Sequence, residues 1–221
     1  MRQTRPSQRR RSERKTSPGA REKNSSVFLN IPYDSRFENL YLAYIAAVSS
    51  FGLVPRAAIE IPGGQRRLDR IFKLLRSCRY SIHDLSRVQL CREAPRTPRF
   101  NMPFELGLAV AWGKTPASRH DWFVCEERRF RLQKSLSDLD GTDPYVHDCK
   151  IVGVFGQLCN AFIRSGRQPT VTQMKGIYSV LRLNLPELIR ESGASSPFEA
   201  RVFKDLCVLA SAAADLNVAQ D

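Results

Sequence analysis

The 221-residue sequence predicts an α/β fold, a parallel sheet of about four to five strands flanked by helices, with a helical C-terminal extension. Three observations predict it. Short runs rich in β-branched and aromatic residues alternate with segments of helical period. The apolar share of 42% is enough for a real core. Polar residues collect just after the apolar runs, where ligands sit in sheets of this kind.

The elements follow in order. "SVFLNI" at 26–31 is a strand that ends at the breakers Pro32 and Asp34. "FENLYLAYIAAVSSF" at 37–51 spaces Leu40, Tyr44, Ala47 and Phe51 as one helical face, and Gly52 closes it in the C′ manner. "LVPRAAIEI" reads as a second strand, placed at a sheet edge by Pro55. "PGG" at 62–64 is a turn before the amphipathic "RRLDRIFKLLRSC", with Leu68, Ile71, Phe72 and Leu75 on one face. "RYSIHDLS" is a third strand ending at Asp84, followed by the Arg- and Pro-rich loop "RVQLCREAPRTPRFN". "RFNMPFELGLAVAW" at 99–112 is a helix with almost no polar surface, and Glu105 stands in its first turn. "DWFVCE" at 121–126 is a fourth strand, "RRFRLQKSLSDL" a helix at least in part, and "DGTDPYVHD" a turn-rich segment. Three further helical patterns, "KIVGVFGQLCNAFI", "TVTQMKGIYSVLRLNLPELI" and "PFEARVFKDLCVLASAAADL", complete the chain. The organisation expected is an arm over 1–25, an α/β domain over 26–166 and a helical extension over 167–221.

Charge divides unevenly. The formal charge is +13, and the opening "MRQTRPSQRRRSERKTSPGAREKNSS" carries nine Lys or Arg against Glu13 and Glu22. That segment has no apolar residue larger than Ala after its Met, so it reads as a disordered basic arm. Weak, non-specific, salt-sensitive contact with nucleic acid is the most such an arm implies. No stretch approaches the roughly 18 apolar residues of a membrane span, and no apolar segment follows the arginines as a signal peptide requires. Six cysteines without a CxxC pair and three histidines without metal-ligand spacing fit a reduced cytoplasmic protein holding no metal.

The strand-end rule selects the candidate site. Asn30, Tyr33 and Asp34 follow the first strand; Asp84 and Ser86, with His83, follow the third; Asn101 and Glu105 open the next helix. Taken singly, Glu105 is a first-turn acid placed for the helix dipole and Asp84 a turn or cap residue. Together, two acids with a ring and amides nearby give the means to hold a ribose and stabilise positive charge at its anomeric carbon. "IPGGQRRLDR" offers a weaker phosphate cradle, with Arg66 or Arg67 beside a helix start. In "SLSDLDGTDPYVHD", Asp138, Asp140, Asp143 and His147 fit no calcium loop, so a turn or lid is the better reading.

"VFLNIPYDSRFE", "SIHDLS" and "NMPFELGLAVA" resemble the strand-end motifs of the nucleoside 2-deoxyribosyltransferase-like and TIR-like superfamily, over roughly residues 26 to 126. The resemblance implies a flavodoxin-like, Rossmann-like domain. It implies Glu105 as the catalytic acid, Asp84 as the ribose-side acid and Tyr33 as the aromatic of the first loop, with no cofactor beyond NAD or a nucleotide as substrate or ligand. The Arg-rich loop, the "PRFNMP" lead into the helix and the C-terminal helices depart from that pattern.

Two functions stand side by side. One is cleavage of an N-glycosidic bond, or ribosyl transfer, on NAD or a related nucleotide, with Glu105 stabilising or attacking the oxocarbenium centre. The other is a non-catalytic nucleotide-sensing or assembly module, with homo-oligomers among its expected states, of a bacterial stress or defence system. His83 is the one nearby candidate for a proton donor to a leaving base.

Overall fold

The computed structural model describes residues 25–61, 66–88, 98–163 and 166–218. The basic arm up to residue 24, the turn at 62–65 and residues 89–97 of the Arg-rich loop lie outside the described residues.

Five parallel strands form one sheet: β1 (Ser26–Asn30), β2 (Val54–Ala57), β3 (Tyr80–Asp84), β4 (Asp121–Glu126) and β5 (Tyr145–Val146). Their order, β2-β1-β3-β4-β5, is that of flavodoxin-like doubly wound sheets, in which the winding reverses between β1 and β3. The helices are α1 (Glu38–Ser50), α2 (Arg67–Ser77), α3 (Asn101–Gly113), α4 (Arg131–Ser135), α5 (Ile151–Ala161), α6 (Val171–Ser192) and α7 (Ala200–Val218).

Alternation along β1 assigns the two faces of the sheet. Val27 and Leu29 pack with α1, α5, α6 and α7 in the larger core, while Phe28 points the other way, into Ile71, Leu74 and Leu75 of α2 and Ala109 of α3. A third cluster joins Leu85, Met102, Leu106, Val124 and Leu132 below the end of β3.

α1 explains the C-terminal helices. Every residue from Leu40 to Ser50 is buried, so the helix is covered on all sides and not only along the predicted stripe. The sheet dries one side of it. Met174, Ile177, Leu181 and Leu185 of α6, with Val202, Phe203, Leu206 and Ala210 of α7, dry the other. The Tyr41 hydroxyl ties the layers by donating to the Pro197 carbonyl at 3.1 Å. Gly52, at φ +71°, ends α1 as expected.

Several boundaries differ from the sequence reading. β2 does occupy an edge, but it stops at Ala57 and turns into a 3-10 segment over Ala58–Glu60. The cause is Glu60, whose carboxylate accepts from the Ala57 N–H at 2.6 Å and from Arg56 at 2.9 Å. On α2 the buried face is Ile71, Leu74 and Leu75; Leu68, one turn earlier, is 48% exposed. The predicted fourth helix contracts to α4 and a 3-10 turn, Ser137–Leu139. The turn-rich segment hides β5, whose two residues pair with Cys125 and Glu126. α3 begins at Asn101, so Glu105 stands in its second turn, and the first turn holds no acid. The dipole explanation for Glu105 fails on that count, because the effect is confined to the first turn.

Candidate functional site

A cavity of about 320 Å³ opens at the carboxyl end of β1, beside the β1/β3 reversal. Asn30, Tyr33, Asn101 and Glu105 line it, together with Arg67 and Arg99. Four of the seven predicted site residues therefore share one hollow. A larger hollow of about 720 Å³ is framed by Arg79, Tyr80, Asp121 and Trp122, at the starts of β3 and β4. The strand-end rule favours the smaller one, and so does its chemistry.

Glu105 is 5% exposed and accepts no hydrogen bond from a described residue. Burial raises its pKa to about 7, with the Arg67 guanidinium opposing the rise. α3 packs Met102, Leu106 and Ala109 inward, and that same face carries Glu105 into the protein. Tyr33 lines the cavity, its ring set edge-on to Tyr41 and its hydroxyl donating to the Leu29 carbonyl at 3.1 Å. Burial, and next the charge of Glu105, push the Tyr33 phenol well above its ordinary value. Arg99 is held from outside by Asp34, whose Oδ2 is 3.1 Å away; Arg87 approaches the same oxygen at 3.6 Å. Asp34 also caps the following 3-10 turn, so its role is to anchor the rim rather than to line the cavity.

Asp84 and Ser86 do not reach this cavity. Asp84 is fully buried, and its carboxylate is saturated: Oδ2 accepts from the Tyr44 hydroxyl at 2.7 Å and from His147 Nε2 at 3.0 Å, and Oδ1 from the Ser86 N–H at 2.9 Å. Burial alone would raise its pKa; the hydrogen bonds from His147 and Ser86 outweigh that and hold it below the usual carboxylate range. An acid so bonded, fully buried and outside the cavity lining, is in no position to meet a ribose there. Ser86, His147 and Asp84 are also not a nucleophilic triad. Serine and aspartate both meet His147 at Nε2, whereas a triad needs them on opposite ring nitrogens.

The surroundings of His147 show how much of the chain serves Asp84. Asp148 and Cys149 both take positive φ, which turns the Cys149 N–H back onto His147 Nδ1 at 3.1 Å and leaves the ring proton on Nε2 for Asp84. A Cβ at Gly153 would run into the His147 carbonyl, so α5 can approach this turn only with glycine there.

His83 is likewise unavailable as an acid. It is fully buried, both ring nitrogens are hydrogen-bonded, and burial lowers its pKa to about 3. Two residues outside the predicted site matter instead. Arg67, foreseen only as part of a phosphate cradle, opens α2 at the cavity wall. Glu126 ends β4 fully buried, with neither oxygen hydrogen-bonded among the described residues and Arg131 3.8 Å away. Burial raises its pKa to about 7. Its place at the end of "FVCE" met the strand-end rule, and that was the signal available. Among the described residues no group of three or more His, Cys, Asp or Glu is arranged to hold a metal.

The fold and the cavity define a doubly wound, Rossmann-like α/β protein in which a buried acid, Glu105, lines a cavity at the switch point. Beyond that class, comparison with family models, curated proteins and solved structures gives no match. No described helix is long and apolar enough to cross a membrane.

Proposed function

We propose that the cavity takes the ribose and leaving group of NAD or a related nucleotide, and that Glu105 supports cleavage of the N-glycosidic bond or transfer of the ribosyl group. The observation that carries this reading is Glu105 itself: a buried carboxyl without a hydrogen-bond partner among the described residues, facing a cavity at the switch point of a parallel sheet. The likeness of the strand-end motifs to deoxyribosyltransferase-like and TIR-like proteins points the same way.

The chemistry follows from charge. Departure of the base leaves oxocarbenium character at the anomeric carbon, and a carboxylate held in a poorly hydrated wall stabilises it strongly or attacks it. Arg67 and Arg99 at the wall suit the phosphates of a nucleotide. Only one carboxyl lines the cavity among the described residues, since Asp84 is sequestered and His83 holds no proton to give toward it. One acid cannot both protonate a leaving base and stabilise the cation. A leaving group that departs without a proton, such as the pyridinium of NAD, resolves that conflict.

The test is turnover of NAD and of nucleosides by purified protein, wild type beside Glu105→Gln, with folding of both followed by circular dichroism. The expected result is NAD cleavage by the wild type and a loss of about a thousandfold or more in the folded variant. Nucleotide binding without turnover in either would replace this reading by a sensing or assembly module. Neither binding nor turnover would refute both.

A further inference from the structure

Asn30 ends β1, and its register partner across the parallel pair is His83. Its Nδ2 makes two hydrogen bonds, one to the Met102 carbonyl at 2.9 Å and one with His83 Nδ1 at 2.9 Å. A carbonyl only accepts, so Nδ2 must face Met102; a flipped amide would set two oxygens against each other. That fixes the sense of the amide. His83 Nδ1 must then accept, and the ring proton lies on Nε2, 2.9 Å from Ser81 Oγ.

The far end is fixed independently. His120 Nδ1 is 3.0 Å from the Cys78 carbonyl and therefore donates, which leaves Nε2 to accept from the Ser81 hydroxyl at 2.8 Å. Starting from Met102 or from Cys78, the protons fall in the same places. Ser81 has one proton to give and one to receive, and it serves both rings. The arrangement needs two neutral imidazoles, and burial lowers the pKa of each.

One atom is left over. Asn30 lines the Glu105 cavity, and its Oδ1 bonds to no described residue. We propose that Asn30 is the specificity-determining residue of this cavity: its amide oxygen is held toward the ligand as a fixed, neutral hydrogen-bond acceptor that selects a sugar hydroxyl. His83, Ser81 and His120 are positioning residues that keep the oxygen facing that way. An acceptor that cannot turn aside is left unpaired when the hydroxyl is missing, so the deoxy ligand is rejected by roughly tenfold or more. This inference rests on the nucleotide reading above.

Two measurements test it. Nitrogen-15 spectra of the histidine rings of the full-length protein should show opposite tautomers, Nε2–H for His83 and Nδ1–H for His120. Equilibrium binding of a carbocyclic NAD, whose base is not lost by N-glycosidic cleavage, and of its analogues lacking the 2′- or 3′-hydroxyl on the nicotinamide side should show at least tenfold discrimination against one of them. In Ser81→Ala, His83 loses its acceptor and can place its proton on Nδ1, where it meets the Asn30 Nδ2–H donor to donor; turning the amide relieves that clash only at the cost of the Met102 bond, so Oδ1 no longer keeps a single direction toward the ligand. Discrimination should then shrink to within about threefold while the variant remains folded. Equal tautomers overturn the inference even if Ser81→Ala fails to fold, and so does undiminished discrimination in a folded variant. Wild type that binds all three ligands alike overturns the selection by Asn30 and leaves the nucleotide reading intact. Wild type that binds none of them overturns both, whatever the tautomers.

Discussion

Asp84 and Glu105 are two buried carboxyls whose surroundings differ in nearly every respect. Asp84 accepts three hydrogen bonds, from Tyr44, His147 and Ser86, and its pKa is held down. Glu105 accepts none from a described residue, borders a cavity, and its pKa is pushed up to about 7. Burial is common to both; partners are not. A carboxylate given partners becomes a structural strut, while one denied them keeps a high free energy that a positively charged transition state can relieve.

The largest effect that would sharpen this contrast is on folding. Asp84→Asn leaves the Tyr44 hydroxyl, the His147 N–H and the Ser86 N–H facing an amide with one acceptor oxygen. It should cost about 3–5 kcal/mol in chemical denaturation. A cost below about 1 kcal/mol would remove Asp84 from its structural role. Next comes the pH dependence of turnover. If ionised Glu105 is required, kcat/KM should rise about tenfold per pH unit as pH climbs toward about 7 and level off above it, since the carboxylate fraction grows through the raised pKa. A profile flat from pH 5 to 8 would contradict it. The smallest effect is Glu105→Gln on stability at pH 8. There the wild type carries a buried charge that its unfolded chain holds in water, so the neutral variant should match or exceed wild-type stability, within about 1 kcal/mol, by the same denaturation. A loss like that of Asp84→Asn would make the two acids alike and break the comparison.

Much of this contrast was hidden in the sequence for a definite reason. The alternation of strand and helix, the ends of β1, β3 and β4 and the gathering of Asn30, Tyr33, Asn101 and Glu105 follow from local period and from the strand-end rule. Those signals are short-range. The partners of Asp84 are not: Tyr44 is 40 residues earlier and His147 is 63 later, in a segment that reads as turn. Without them a strand-end aspartate looks free. The sequence reading misplaces Glu105 in the first turn, although it draws the helix from 99, because "PRFNMP" contains two prolines and a boundary at the second, Pro103, would set it there. The burial of α1 on every side depends on helices more than 100 residues away, so period alone showed one face where packing uses all of them.

That cover over α1 bears on how the chain is made. The helix is synthesised before its cover, and the chain is uncharged from Leu40 to Val54. Its outer wall, α6 and α7, is translated more than 100 residues later. Until those residues are made, one side of the helix lacks its cover, and docking must await contacts of long sequence separation, which form slowly. A ribosome that stalls before residue 171 releases a sheet whose central helix is still wet on one side, a natural substrate for chaperones.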